Sequence, residues 1–444
     1  QMCIRDSFYR IWFRNFFLKK MEYMDYVDLK YRPEKDDLIC EFYVKPSKSI
    51  EEAAGAVASE SSTGTWTEVK APERVKKISA KVFSIKGNYI KIAYPLQLFE
   101  PSNVPQILSS VAGNIFGMKE IKALKLLDVS FPKKIVREFK GPLFGIPGVR
   151  KLLKVKERPL VGTIIKPKLG LTAREHAKRA YQAWIGGCDL VKDDENLTNQ
   201  KFNQFKKRVI ETLKLKEKAE RETGERKAYL PNITAETKEM LRRARFVKEN
   251  NGTYVMVDII TAGWSSLQTL REENESLSLV LHAHRAGYAA LSRNPRHGIS
   301  MLVIAKIARL IGLDQLHIGT IVGKMDTPKR EVVAIDQEIE KSIIRSDKAG
   351  HILEQEWFHI KPMFAVCSGG LHPGHVPYLI KRLGKNIVLQ FGGGIHGHPL
   401  GTESGARAVR QAVNAALEGI PLEEAAKKQK ELKLALERWK KIYY

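Results

Sequence analysis

The chain has 444 residues, of which 43% are hydrophobic and 28% charged, with a formal net charge of +25. That length exceeds one small domain, and the apolar fraction supports packed cores, so a wholly disordered chain is excluded. Its four cysteines, Cys3, Cys40, Cys188 and Cys367, are scattered with no CxxC pair, which excludes a disulfide scaffold and points to a reducing, cytoplasmic compartment.

Residues 1–20, QMCIRDSFYRIWFRNFFLKK, carry five basic residues and one acid. The aromatic run from Phe8 to Leu18 is broken by Arg10 and Arg14. It falls short of the roughly 20 apolar residues a membrane span requires, and it lacks the cleavage site of a signal peptide. Residues 1–20 are read as a leader foreign to the natural chain, whose start is expected near Met21 or Met24. MCIRDS is similar to the translated end of a sequencing adapter. A short basic amphipathic helix is the alternative.

Residues 21–140 read as a small α+β domain of ferredoxin-like type. DLICEFYVKP has strand character, SIEEAAGAVASES helical spacing, and KISAKVFSIKGNYIKIAYPL the pattern of a hairpin turning at Gly87-Asn88. NVPQILSSVAGNIFG is helical again, so two helices are expected against a small antiparallel sheet.

From Gly141 to the C-terminus the texture changes. Strand-length apolar runs recur with helical stretches between them: LVGTIIKP (160–167), CDLVKDDE (188–195), AYLPNITAE (228–236), TYVMVDIIT (253–261), LSLVLHAHR (277–285), DQLHIGT (314–320), KPMFAVCSG (361–369) and NIVLQFGGG (386–394). Such an alternation predicts a (β/α)8 TIM barrel over residues 141–444. Thr172 and Glu175 form a capping box at the first of its helices. A further helix opens near Glu236 and ends at Gly252, and residues 421–440 are expected to form one terminal amphipathic helix behind Pro421.

Polar residues crowd the C-terminal ends of these runs: Lys166 and Lys168, Lys192 to Glu195, Asn232, Asp258, His282, His284 and Arg285, His317, Ser368 to Gly370, and Gly392 to Gly394. A barrel gathers those ends on one face, the face on which barrel enzymes do chemistry. Within VKDDEN, strand alternation turns Lys192 and Asp194 the same way. Two readings stand level on these residues alone: an ion-pair cluster, or a hard-cation site in which the buried lysine reacts with carbon dioxide and becomes an anionic ligand. The positive charge is spread over many amphipathic stretches without an RNP box or zinc finger, so it reads as a solvated basic surface, with nucleic-acid binding as the competing reading.

GGCDLVKDDEN resembles the activation motif of ribulose-1,5-bisphosphate carboxylase/oxygenase (RuBisCO) large chains. GTIIKPKLGL (162–171), ESSTGTWTEV (60–69), GNIFGMK (113–119), HAHRAGY (282–288), HIGTIVGKM (317–325), CSGGLHPGHVP (367–377) and LQFGGGIHGHP (389–399) resemble further motifs of that family, in order, from about Met21 to the C-terminus. The resemblance implies carboxylation of ribulose 1,5-bisphosphate to two 3-phosphoglycerates, with competing oxygenation by O2. Its cofactors would be Mg2+ and an activating CO2 held as a carbamate on Lys192, with Asp194 and Glu195 as the other metal ligands.

The resemblance also implies roles for the other site residues. Lys166 would move protons, with Lys168 beside it; His284 would act at hydration; Lys324 would close over the substrate, with Gly323 as a hinge. Thr65, Trp66, Lys324, Gly369, Gly370, Gly392 and Gly393 would hold one phosphate, and Arg285 and His317 the other. Ser368 would meet a substrate hydroxyl, and Gln390 would join the substrate site. Glu60, Thr65, Trp66 and Asn114 would complete the site of a neighbouring subunit, implying an obligate homodimer, with larger assemblies of dimers open and no small subunit.

Tyr288 stands where most members have histidine and is expected behind the site at best; Ile164 and Ile318 replace small polar residues. RNPRHGISM (293–301) looks archaeal, pointing to form III or II/III and a place in AMP and nucleoside degradation. A RuBisCO-like enolase or isomerase of sulfur salvage is the alternative. His176, His351 and His359 are expected at the surface or on helices.

Overall fold

The computed structural model describes residues 19–65, 67, 69–322 and 328–440. The chain divides into two compact units. The first runs to Glu138 and also takes in Leu291–Val303 and Arg345–Gln355; the second comprises Phe139–Ala290, Ile304–Ile344 and Glu356 onward.

In the first unit the order is β1 (Leu38–Pro46), α1 (Ile50–Glu60), β2 (Lys81–Lys86), β3 (Tyr89–Tyr94), α2 (Val104–Val111) and β4 (Ile121–Ser130). This is the βαββαβ pattern, with spatial order β4-β1-β3-β2 and antiparallel pairing throughout. A two-residue strand, Gly298–Ile299, adds parallel to β4 and makes the sheet mixed. Ser49 caps α1 by accepting from the Glu52 amide at 3.2 Å. The buried face of α1 is built from small residues, Ala53, Ala54, Ala56 and Val57. The β2–β3 hairpin turns at Gly87, whose φ of +58° suits glycine.

The second unit carries eight parallel strands: β5 (Leu160–Ile164), β6 (Leu190–Lys192), β7 (Ala228–Leu230), β8 (Tyr254–Asp258), β9 (Val280–His284), β10 (Gln315–Gly319), β11 (Phe364–Ser368) and β12 (Ile387–Phe391). Their order is β8-β9-β10-β11-β12-β5-β6-β7. The ring closes between β7 and β8, where the Met256 amide donates to Pro231 O at 2.9 Å and the Ile233 amide to Met256 O at 3.0 Å. All eight expected runs are strands of this TIM barrel.

The main helices of the unit are α3 (Gly145–Leu153), α4 (Ala173–Ile185), α5 (Phe205–Thr223), α6 (Thr237–Glu249), α7 (Trp264–Leu277), α8 (Met301–Ile311), α9 (Lys329–Glu340), α10 (Val376–Leu383), α11 (Thr402–Glu418), α12 (Leu422–Lys428) and α13 (Lys430–Arg438). The expected single terminal helix is thus two, broken at Gln429, whose backbone is extended (φ −128°, ψ 99°). Helix α3 plugs the N-terminal end of the barrel. Its Ile146, Val149 and Leu153 join Leu160, Leu190, Tyr254, Phe364 and Val388 in one buried cluster. Each such side chain contributes about 1.5–3 kcal/mol on burial. With that end filled by apolar packing, the opposite rim is left for polar groups. No helix among the described residues is long and apolar enough to cross a membrane.

Candidate active site

Strand β6 ends at Lys192; alternation separates Asp193 from Asp194, and the turn that follows brings Glu195 to the Asp194 side. Asp193 points into the layer between barrel and helices, where it is fully buried. Arg208 Nε of α5 donates to its Oδ2 at 3.0 Å, the Tyr229 hydroxyl to its Oδ1 at 2.7 Å and the Asn232 amide to its Oδ2 at 3.0 Å. His176 Nε2 of α4 lies 3.1 Å from Oδ1. His176 is therefore helical but buried rather than superficial. The adjacent Arg208 guanidinium and these donors outweigh the burial penalty and hold the Asp193 carboxyl below the usual carboxylate range.

Lys192, Asp194 and Glu195 face the other way. Lys192 is 0% exposed, and its ammonium donates to Asp193 O at 2.7 Å. Burial pushes its pKa down, opposed by Glu195 and Asp194. A buried amine that loses its proton readily is the form that attacks carbon dioxide. Lys166 Nζ donates to Asp194 Oδ2 at 2.5 Å, and Lys168 Nζ to Glu195 Oε1 at 3.2 Å. These carboxylates hold Lys168 above its ordinary pKa, and Glu195 is pulled down to about 2, chiefly by a backbone hydrogen bond and by His284, against the effect of burial. The donor set fits a hard cation: two carboxylates side by side, their loop tied by Asn232 Nδ2 to Glu195 O at 2.9 Å. No group of three His, Cys, Asp or Glu suited to a metal occurs among the described residues; the Lys192 amine lies beside the Asp194–Glu195 pair.

Next along the rim, His284 ends β9. Its Nδ1 lies 2.8 Å from Asp258 Oδ1, and its Nε2 3.8 Å from Glu195 Oε2. The Asp258 carboxylate against Nδ1 orients the ring and turns Nε2 toward the pocket. Behind it runs a chain of neutral groups. His282 Nδ1 meets Gln315 Oε1 at 2.7 Å, His282 Nε2 meets His317 Nε2 at 2.9 Å, and His317 Nδ1 meets Ser368 Oγ at 2.8 Å. Burial drives His282 down to about 3 and His317 well below its ordinary value. With the Gln315 carbonyl accepting, each donor follows: His282 Nδ1–H to Gln315, His317 Nε2–H to His282, the Ser368 hydroxyl to His317. Ser368 is left with its oxygen lone pairs toward the pocket.

The remaining rim suits anions. Gly369 (φ +126°) and Gly370 (φ +76°) adopt backbone that side chains resist, which bares their amides. Arg285 is 5% exposed, stacks over the Tyr288 ring at 3.8 Å, and has no partner for Nη1 among the described residues. A Cβ at Gly319 would come within 2.5 Å of its Nη2. A buried guanidinium with spare donors suits an anion such as a phosphate. Gln390 is likewise buried with neither amide atom partnered among the described residues, and Gly162 gives it room, since a Cβ there would lie 2.2 Å from its Oε1. Lys166, Lys168, Glu195, His284, Arg285, His317, Ser368, Gly369, Gly370, Gln390, Gly392 and Gly393 line one cavity of about 600 Å³.

Residues 145–439 match the family described as ribulose bisphosphate carboxylase large chain, catalytic domain, and residues 25–135 the N-terminal domain of the same large chain. This chain belongs to the ribulose bisphosphate carboxylase large-chain family. It is 54% identical over 424 residues to the ribulose bisphosphate carboxylase of Methanosarcina mazei, covering 94% of this chain and 99% of that one. Against that of Methanocaldococcus jannaschii it is 51% identical over 428 residues, covering 94% and 100%. Among solved structures it is similar to an octameric RuBisCO from Pyrococcus horikoshii in complex with sulfate (TM-score 0.89, 49% identity, 95% of this chain and 98% of that one). It is equally similar to a dimeric archaeal RuBisCO from Hyperthermus butylicus (TM-score 0.89, 46% identity, 94% and 99%). The chain is a large chain of archaeal type.

Glu60, Thr65 and Asn114, of the RuBisCO motifs, lie in the first unit. Glu60 ends α1 with Oε1 buried and unpartnered among the described residues, and burial together with Glu120 raises its pKa. Thr65 sits in the loop that follows, and Asn114 is exposed at the start of the turn Asn114–Gly117. Trp66, Gly323 and Lys324, and nearly all of the 1–20 leader, lie outside the described residues.

Three groups at the rim escaped the sequence reading. Tyr288 was expected behind the site, yet it lines the cavity beneath Arg285. His372 and Trp439 line it as well. The GGxHPGH spacing could have flagged His372; nothing in a lysine-rich amphipathic helix flags Trp439. Of the other two histidines, both in turns, His351 is part-buried against Glu41 (Nδ1 to Oε1, 2.7 Å), whereas His359 is exposed as expected, with Nε2 2.8 Å from Phe139 O.

Proposed function

We propose that this chain carboxylates ribulose 1,5-bisphosphate with CO2 and water to give two 3-phosphoglycerates, with oxygenation by O2 as the competing reaction. The observation that carries this reading is the buried amine of Lys192 beside the Asp194–Glu195 pair, across the cavity rim from Lys166. A carbamate on Lys192, with Asp194 and Glu195, would hold Mg2+. The ion supplies polarisation of the substrate's carbonyl and neighbouring hydroxyl.

The chain's own groups do the rest. Lys192 would hold the carbamate, which would supply a base for the C3 proton. Lys166 moves protons during enolisation and delivers the final proton, released for this from Asp194. His284 Nε2, oriented by Asp258, accepts a proton from the water that hydrates the carboxylated intermediate. Ser368 accepts a hydrogen bond from a substrate hydroxyl. One phosphate lies on the amides of Gly369, Gly370, Gly392 and Gly393, with Thr65, Trp66 and Lys324 joining them and Gln390 close by; Arg285 and His317 hold the other. Lys324 closes over the substrate, turning at Gly323. Glu60, Thr65, Trp66 and Asn114 serve the site of a second copy, so the working unit is a homodimer of two-domain chains (21–140 and 141–444), open to further assembly and needing no small subunit. The exposed Asn114 and the orphaned Glu60 oxygen support that reading. The compartment is cytoplasmic. The substrate reaches the enzyme from ribose 1,5-bisphosphate in AMP and nucleoside degradation, the form III or II/III role.

The test is fixation of labelled bicarbonate with Mg2+ and ribulose bisphosphate, with and without preincubation in CO2 and Mg2+. Acid-stable product that rises with preincubation is expected, and Lys192→Ala should abolish it. Activity indifferent to both treatments would refute the carbamate; absence of product would refute the carboxylase.

A further inference from the structure

Helix α13 ends at Arg438, and the next residue, Trp439, lines the same cavity as Lys166, Gly370 and Gly393. Its indole stacks on the His372 imidazole, with ring centroids 5.8 Å apart and planes 13° apart. His372 lies two residues beyond Gly370. Its backbone amide donates to His375 Nδ1 at 3.2 Å, and the two imidazoles pack at 3.7 Å, which fixes the ring beneath the indole. On the other side, Trp439 Cζ2 would be 3.8 Å from a Cβ on Gly397, at the end of the turn that begins with Gly393. The indole therefore touches both segments that carry the phosphate-binding glycines.

Its position is held from behind. The Leu432 amide of α13 donates to Gln411 Oε1 at 3.0 Å, Gln411 Nε2 to Glu431 Oε2 at 2.9 Å, and His398 Nε2 lies 3.0 Å from Glu431 O. Three contacts anchor α13 to α11 and to the Gly393–His398 segment. An amphipathic helix needs only its apolar stripe for that docking. A large aromatic at its end, turned into a polar cavity, is not needed to bury the helix.

We propose that Trp439 is a wall of the substrate pocket and determines how tightly the phosphate end of the substrate is held. This rests on the carboxylase reading of the same cavity. A flat apolar ring packed against the segments that carry these glycines limits water at that end of the cavity, and amide-to-phosphate hydrogen bonds strengthen as the local dielectric falls. Trp439 is a positioning residue. It touches the glycine segments, takes no part in proton transfer, and acts on binding more than on turnover.

Steady-state carboxylation by Trp439→Ala, Trp439→Leu and Trp439→Phe tests this. Trp439→Ala should raise KM for ribulose bisphosphate roughly tenfold, equivalent to about 1.4 kcal/mol, with kcat changed by less than about twofold. Trp439→Phe should recover most of the loss and Trp439→Leu, which keeps bulk without a flat ring, less. Should the alanine variant not fold, the order Trp, Phe, Leu in KM decides. Unchanged KM across the variants in an active parent overturns the proposal. A second arm is independent of turnover: calorimetric binding of inorganic phosphate should weaken at least roughly fivefold in Trp439→Ala or, failing that, Trp439→Leu, and equal affinity overturns the wall. A parent with no carboxylation overturns the carboxylase reading instead, and the phosphate arm still decides the wall.

Discussion

Asp193 and Asp194 adjoin in sequence and do unlike things. Alternation along β6 was enough to separate them on paper, because side chains on a strand change face at every residue. Which side was core and which was cavity needed the barrel. His176 shows the limit: a helical histidine in a charged stretch reads as exposed, and only the fold brings it to Asp193. Asp193→Ala leaves Arg208 buried without its partner, so a loss of about 3–5 kcal/mol in denaturant unfolding is expected. Since the Asp193 carboxyl is held low, its stabilisation is present above the unfolded carboxylate pKa and disappears as pH falls. Asp258→Asn should preserve the fold but present the wrong His284 tautomer, lowering kcat by roughly 10²-fold or more. An unaltered kcat would remove His284 from proton transfer.

All eight barrel strands were legible because parallel strands buried on both faces appear as unbroken apolar runs. The break at Gln429 was not, because an amphipathic pattern continues across it and the kink is imposed by docking on α11. Close approach is equally invisible in sequence. A Cβ on Gly405 of α11 would lie 2.1 Å from Ile395 O, in the turn that follows the second glycine cluster. Gly405→Ala must push that turn or the helix away, at a cost of about 1–3 kcal/mol. A lowered melting temperature together with a raised KM is expected; a change in melting temperature alone would show that the turn does not move the amides. At the start of α4, Thr172→Ala removes a capping box whose two halves are both formed and should cost about 1 kcal/mol in thermal unfolding.

Over the whole chain, the excess of basic residues is spread along helix faces. Arg243 pairs with Glu239, Lys216 with Glu220, Arg271 with Glu275 and Arg407 with Glu403, all four residues apart. What composition could not reveal is that residues 291–303 and 345–355 belong with the first unit, because nothing in their makeup differs from the barrel around them. Global stability should depend on pH through buried neutral histidines. Burial holds His282 and His396 each down to about 3. Below about pH 6.5 the unfolded chain binds protons that these folded rings refuse, so stability is full above that pH and is lost as pH falls. The slope is about 1.4 kcal/mol per pH unit for each ring. The urea midpoint should therefore drop between pH 7.5 and 5.5, and His396→Gln should flatten the drop. A midpoint that does not fall would mean that the rings are not neutral.

The parity of β6 also bears on how such a protein can change. Because Asp193 anchors the wall while Asp194 and Glu195 face the cavity, the two faces of one short peptide answer to separate demands. Substitutions on the cavity face can rewrite the chemistry while the scaffold persists, and substitutions on the wall face can tune heat tolerance without touching the reaction. A library varied only at the inward positions should yield folded, inactive proteins, and one varied only at Asp193 should yield sparse protein whose folded fraction keeps its chemistry.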